Sequence, residues 1–139
     1  VYGPLDDDSK FVNFIIKSCL SNVECIKLTK GEQMRDFIYV EDVVNAYLVL
    51  MDKADQLPGY QEFEVGTGNM ISIREFVETV SHVTHSSTIL KFGALPYREN
   101  EIMESCAINQ SLIDLGWKYN VHIQEGISRI VQTIESKPR

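Results

Sequence analysis

Apolar positions recur at helical spacing near the start of the chain: Phe11, Phe14, Ile15 and then Ser18 or Cys19 share one face. This predicts a first helix beginning near Ser9, a candidate cap. A short strand over residues 24–28 follows. The run Asp36-Phe37-Ile38-Tyr39-Val40 is rich in aromatic and β-branched residues and predicts a second strand leading into a helix over residues 41–53. Glu41 and Asp42 in its first turn suit the positive end of the helix dipole. Leu57-Pro58-Gly59 reads as a turn, Phe63-Glu64-Val65 as a strand, and Gly66-Thr67-Gly68-Asn69 as a loop. Ser72 with Glu75 forms a capping box ahead of a third helix whose stripe is Ile73, Phe76, Val77 and Val80. A strand over residues 89–92, a short helix over 110–115 stopped by Gly116, and an amphipathic helix carrying Ile123, Ile127, Ile130, Val131 and Ile134 complete the chain. Helical and β-type periods alternate without repeats or long linkers, so the fold class is α/β, or α+β-like, in a single domain over residues 1–139.

Composition narrows the function. The chain has 139 residues, enough to bury a core without a metal or disulfide. Its 13 Lys and Arg against 20 Asp and Glu leave a net charge of −7, which disfavours nonspecific attraction to nucleic acid or to an anionic membrane. Any anionic ligand must then be met by a few placed arginines. No apolar run approaches the ~20 residues of a membrane span, and the acidic N-terminal stretch lacks a signal peptide's layout, so a cytoplasmic location is expected. Cys19, Cys25 and Cys106 form neither an even disulfide set nor a close metal pair and read as buried free thiols. Val1 in place of an initiator Met raises the expectation that a longer chain has been cut.

Most candidate chemistry fails on spacing. Gly66 and Gly68 form a G-x-G, but the third glycine of a dinucleotide fingerprint would fall on Ile71, so a strand-to-helix turn is the better reading. Asp6, Asp7 and Asp8 lack the alternating ligands and distal Glu of a calcium loop and read as a solvated acidic run. His82 and His85 share a helix face, yet no Cys or acidic partner is placed to complete a metal site. There is no G-x-S-x-G elbow and no Cys in a nucleophile motif. Arg35 remains: between a glycine turn and a buried-looking strand it needs an anion. That anion is either a carboxylate nearby, Asp36 or Glu32, or a diphosphate held by the guanidinium fork.

Ordered landmarks then cover nearly the whole chain: Val1-Tyr2-Gly3-Pro4, the segment from Gly31 through Asp42, Phe63 to Asn69, Arg98-Glu99-Asn100-Glu101 and Asp114-Leu115-Gly116-Trp117. In this order they resemble the C-terminal substrate-binding part of the extended short-chain dehydrogenase/reductases, the NAD-dependent epimerase/dehydratase family acting on nucleotide sugars. Lys27 to Gln33, Val43 to Leu48 and Arg98 to Met103 are most similar to the reductases of CDP-linked 4-keto-dideoxyhexoses used in surface-polysaccharide synthesis. Two departures stand out. Thr29 replaces the family's more usual Gly, and Glu101 its more usual Asp, keeping the carboxylate but moving it by one methylene.

The resemblance implies a nucleotide-diphosphate sugar as partner, with Arg35 and Arg98 on the diphosphate, Glu101 on the ribose, Ile26 and Leu28 lining the base pocket, and Phe11 beside it. It places Val1 and Tyr2 near the nicotinamide of NAD or NADP in the longer enzyme. The family's Gly-rich dinucleotide loop and Tyr-x-x-x-Lys pair are not in this sequence: four residues after each Tyr stand Asp6, Val43, Met51, Glu64, Glu101 and Ile123. The resemblance therefore implies the specificity half of an enzyme whose catalytic Rossmann half precedes it. It further implies no cofactor for this stretch alone, and a homodimer of the longer enzyme paired through the other half. The alternative is a stand-alone interaction module that keeps the fold without catalysis.

Overall fold

A computed structural model describes residues 1–136. Helix α1 (Phe11–Leu20) leads to strand β1 (Cys25–Lys27), then strand β2 (Met34–Arg35) and helix α2 (Val40–Lys53). Strand β3 (Ile71–Ser72), helix α3 (Ile73–Val83), strand β4 (Ile89–Lys91), strand β5 (Glu104–Ser105), helix α4 (Gln110–Asp114) and helix α5 (Ile123–Glu135) follow. β1 pairs with β4 in parallel; β2 lies between β3, antiparallel to it, and β5, parallel to it. This is the mixed α/β layout expected. No helix among the described residues is long and apolar enough to cross a membrane.

The main core lies where α3 packs against α1 and α5. Phe76, Val77 and Val80 of α3, Ile15, Ile16 and Cys19 of α1, and Ile127 and Ile130 of α5 meet there, with Ile26, Leu28 and Tyr2 beside them. Each such large apolar side chain adds roughly 1.5–3 kcal/mol on full burial. A smaller cluster of Ile38, Ala46, Leu112 and Trp117 sits under α2.

Five expectations need correction. Lys10, with no side-chain cap, precedes α1, and the Ser9 hydroxyl donates to Asp7 instead. α1 is apolar nearly all round, so the pattern could not choose its inner face: Ile15, Ile16 and Cys19 are buried, whereas Phe11 and Phe14 are 37% and 48% exposed. The second strand falls on Met34–Arg35 because those residues pair with both β3 and β5; beyond them the Asp36 N–H still donates to the Ser105 carbonyl at 3.1 Å, and Ile38 and Val40 bond the backbone of Tyr2 across the isolated Tyr2–Tyr39 bridge. Phe63-Glu64-Val65 is not a strand; the Glu64 carboxylate, not its backbone, accepts the Ile108 N–H at 2.7 Å. All three cysteines are free, but only Cys19 is buried: Cys25 is half-buried and Cys106 exposed.

Candidate functional site

The segment from Gly31 to Asp42 divides its work residue by residue. Gly31 has φ +76°, and a Cβ there would lie 2.9 Å from the backbone nitrogen of Arg74. This close turn lets the Gly31 and Gln33 carbonyls accept the first N–H groups of α3, from Arg74 at 3.0 Å and Ile73 at 2.8 Å. The Ser72 hydroxyl accepts the Glu75 N–H at 3.0 Å and finishes that cap.

Asp36 does not pair with Arg35. Its Oδ1 accepts the Thr67 N–H at 2.9 Å and the Thr67 hydroxyl at 2.6 Å; its Oδ2 accepts the Gly68 N–H at 2.9 Å and the Ala107 N–H at 3.3 Å. The carboxylate thus ties the end of β2 to the Gly66-x-Gly68 loop and to the segment that follows β5. Gly68 has φ +75°, and a Cβ on Gly66 would stand 2.5 Å from Asp36 Oδ2. Both glycines serve this turn, as the failed dinucleotide fingerprint implied.

Asp42, 1% exposed, does the same for the second cluster. Its carboxylate accepts the Asn120 N–H at 2.9 Å and the Val121 N–H at 3.0 Å, and its carbonyl accepts the Trp117 indole N–H at 3.0 Å. The sequence reading assigned neither aspartate this work. Their signal was present: each stands in or beside an apolar run where a carboxylate needs donors.

Arg35 is placed by β2 with its side chain 27% exposed. Nη1 donates to the Met34 carbonyl at 2.9 Å, and Nη2 meets Glu101 Oε1 at 3.0 Å. Of the two sequence readings, the carboxylate bridge is present in this structure, but to Glu101 rather than Asp36 or Glu32. Arg98 and Glu101 share one turn, closed by the Glu101 N–H on the Arg98 carbonyl at 3.2 Å, with Asn100 at φ +62°. Arg98 is exposed and makes no ion pair among the described residues. At the other end of this loop the Tyr97 hydroxyl donates to Glu32 Oε2 at 2.9 Å and accepts the Glu32 N–H at 3.1 Å. Partial desolvation and the Glu32 and Glu101 carboxylates push the Tyr97 phenol above its ordinary value, so it stays protonated. Of the three residues expected on one ligand, Arg35 and Glu101 therefore meet directly, and Arg98 is carried on the turn that bears Glu101.

The remaining site residues separate. Ile26 and Leu28 are 3% and 6% exposed, so their side chains support the wall from behind rather than forming its surface. Phe11 stays partly open, its ring 5.9 Å from Phe76, which stacks on Phe37 at 4.4 Å. Val1 is exposed and shares an open concavity of about 350 Å³ with Arg35, Asp36, Glu64, Gly66 and Cys106. Tyr2 is a correction: its ring is 2% exposed, set edge-on to Tyr39 at 5.5 Å, so its side chain offers a nicotinamide no contact. With only Val1 available and neither a Gly-rich phosphate loop nor a Tyr-x-x-x-Lys pair in the sequence, these residues do not by themselves fit a dinucleotide. Around the Asp6–Asp8 run, Lys10 pairs with Asp6 at 2.8 Å and Lys17 with Asp8. No group of three or more His, Cys, Asp or Glu among the described residues could hold a metal ion.

Residues 1–66 match the model of the NAD dependent epimerase/dehydratase family. The chain is 42% identical over 136 residues to CDP-abequose synthase of Salmonella typhimurium, covering 96% of this chain. The chain belongs to the NAD-dependent epimerase/dehydratase family. CDP-abequose synthase of Salmonella muenchen is 38% identical over 135 residues, covering 97% of this chain. The chain spans 46% and 45% of the length of these two relatives. Among family structures, UDP-glucose 4-epimerase of Thermotoga maritima with UDP-glucose superposes with a TM-score of 0.83 at 26% identity, covering 96% of this chain and 43% of that one. MoeE5 in complex with UDP-glucose and NAD superposes at 0.82 and 26%, covering 97% and 44%.

Proposed function

We propose that this chain is the nucleotide-sugar-binding lobe of an NAD(P)-dependent nucleotide-sugar reductase or epimerase acting on a CDP- or dTDP-deoxyhexose in surface-polysaccharide synthesis. The observation that carries this reading is the grouping of Arg35, Arg98 and Glu101 beside β2 in an otherwise acidic chain. Two guanidinium groups match the two charges of a diphosphate with forked hydrogen bonds, and a carboxylate suits a ribose diol. The 42% identity to a CDP-sugar enzyme supports the cytidine choice.

NAD(P), when bound to the longer enzyme, supplies the hydride chemistry. Within this lobe Arg35 and Arg98 bind and orient the substrate, and Asp36 fixes the loop lining the concavity. The partner lobe is the preceding half of a chain of the relatives' length. α2 supports this with Val44, Tyr47, Leu48 and Met51, spaced along one face and 51%, 63%, 56% and 72% exposed.

Calorimetry on the longer protein tests the assignment. Replacing Arg35 or Arg98 with Ala should weaken nucleotide-sugar binding by about 2 kcal/mol, in the range for a charge-assisted bond, and leave NAD(P) affinity unchanged. Intact substrate affinity in both variants would overturn the clamp. The 139-residue chain alone should show no hydride transfer to a 4-keto sugar; measurable turnover would place the chemistry elsewhere than proposed.

A further inference from the structure

Arg35 and Glu101, each expected on a different part of the ligand, are bonded to each other in this structure at 3.0 Å, with side chains 27% and 20% exposed. A half-withdrawn guanidinium needs an anion, and the only carboxylate it meets within ion-pair distance among the described residues is Glu101. Among the described residues Glu101 holds no other hydrogen bond through its side chain and Arg98, on the same turn, makes no ion pair. That turn is tied by side chains at two points, to the segment before β2 through Tyr97 with Glu32 and to β2 itself through Glu101 with Arg35.

We propose that Glu101 is an internal counter-anion that occupies Arg35 until a nucleoside diphosphate exchanges with it. This rests on the nucleotide-sugar reading above. A diphosphate arriving at Arg35 brings negative charge against the Glu101 carboxylate on the same guanidinium, and like charges that close oppose each other. Glu101 then leaves Arg35, the Tyr97–Glu32 contact stays as the anchor, and the released turn carries Arg98 toward the phosphates. The device also selects. Bare diphosphate displaces Glu101 and leaves it without a partner, whereas a nucleoside diphosphate offers the freed carboxylate a ribose diol. The empty site should therefore resist inorganic phosphates and respond to nucleotides.

The test compares the wild-type chain with Glu101→Gln, titrated separately with inorganic pyrophosphate and with CDP and read by amide NMR. The Gln side chain keeps hydrogen-bonding capacity toward a ribose hydroxyl and loses the charge that holds Arg35. Because Glu101 lies on an exposed turn, the variant's spectrum should change only near residues 32–35 and 97–103. Pyrophosphate should bind Glu101→Gln about fivefold tighter than wild type, equivalent to about 1 kcal/mol at 1.4 kcal/mol per decade. The preference of CDP over pyrophosphate should shrink. Unchanged or weaker pyrophosphate binding in the variant, with CDP still bound by wild type, overturns the exchange and leaves the nucleotide reading standing. A gain for pyrophosphate with no preference for CDP in wild type supports the exchange and removes the nucleotide reading. Absence of binding by either ligand to either protein at tens of millimolar overturns both.

Discussion

Replacing Asp36 with Asn removes one of two acceptor oxygens at a junction of three chain segments. In the native chain Oδ1 takes both Thr67 donors, at 2.9 and 2.6 Å, and Oδ2 takes Gly68 at 2.9 Å and Ala107 at 3.3 Å. If the amide oxygen keeps Thr67, its NH₂ faces the Gly68 and Ala107 N–H groups, donor against donor. Losing the Gly68 bond at this half-buried position destabilises by about 1–1.5 kcal/mol, and turning the two Thr67 bonds from charge-assisted to neutral by about 1 kcal/mol. Asp36→Asn should thus cost about 2–2.5 kcal/mol, and Asp36→Ala, which strips every acceptor, about 3–4 kcal/mol. Urea unfolding followed by the single tryptophan, Trp117, buried at 3% exposure, reads this as a lower midpoint at constant slope. The Thr67, Gly68 and Ala107 amides should exchange faster with solvent. Coupling gives a second check: Gly66→Ala, whose Cβ would stand 2.5 Å from Asp36 Oδ2, should be milder in the Asp36→Ala background than alone. A loss below about 0.5 kcal/mol in Asp36→Asn with unchanged amide protection would refute the role assigned to this carboxylate.

Further outcomes follow from other sites. Asp42→Ala leaves the Asn120 and Val121 N–H groups without their acceptor and should lower unfolding free energy by about 3 kcal/mol in the same urea assay. Gly126→Ala would put a Cβ 2.7 Å from the Tyr2 ring and should destabilise by at least about 2 kcal/mol, whereas Tyr2→Phe, which removes a buried hydroxyl with no partner, should be neutral or stabilising by thermal melting. A thiol reagent should label Cys106 first and Cys19 only on unfolding. Desolvation, with Asp36 and Glu64 nearby, holds the Cys106 thiol above its ordinary value, so labelling at neutral pH should be slower than for a free cysteine and should keep rising with pH beyond that value.

The amphipathic helices α3 and α5 were legible in the sequence because each has one apolar stripe, and their inner residues Phe76, Val77, Val80, Ile127 and Ile130 are those the periodicity named. The face of α1 was not, because Phe11, Val12, Phe14, Ile15 and Ile16 surround it and only tertiary packing chooses among them. The β pairing of Met34–Arg35 was misread because a two-residue strand carries no period, and its partners Ile71–Ser72 and Glu104–Ser105 are remote in sequence. At the site, Arg35 was found by its need for an anion, yet the identity of that anion depends on a turn 66 residues away. The Asp36 and Asp42 anchors escaped for the same reason: their donors at Thr67, Gly68, Ala107, Asn120 and Val121 come from other loops.

The most direct measurement is an amide NMR titration of the 139-residue chain with CDP at low and high salt. Saturable shifts should concentrate at residues 26–35 and 98–101, with an affinity near the millimolar range, about 4 kcal/mol, because the clamp is partly open to water. They should fade as salt screens the two arginines. Shifts confined to other surfaces, or none at several millimolar in both this chain and the longer protein, would contradict the assignment of Arg35, Arg98 and Glu101 to a nucleotide diphosphate.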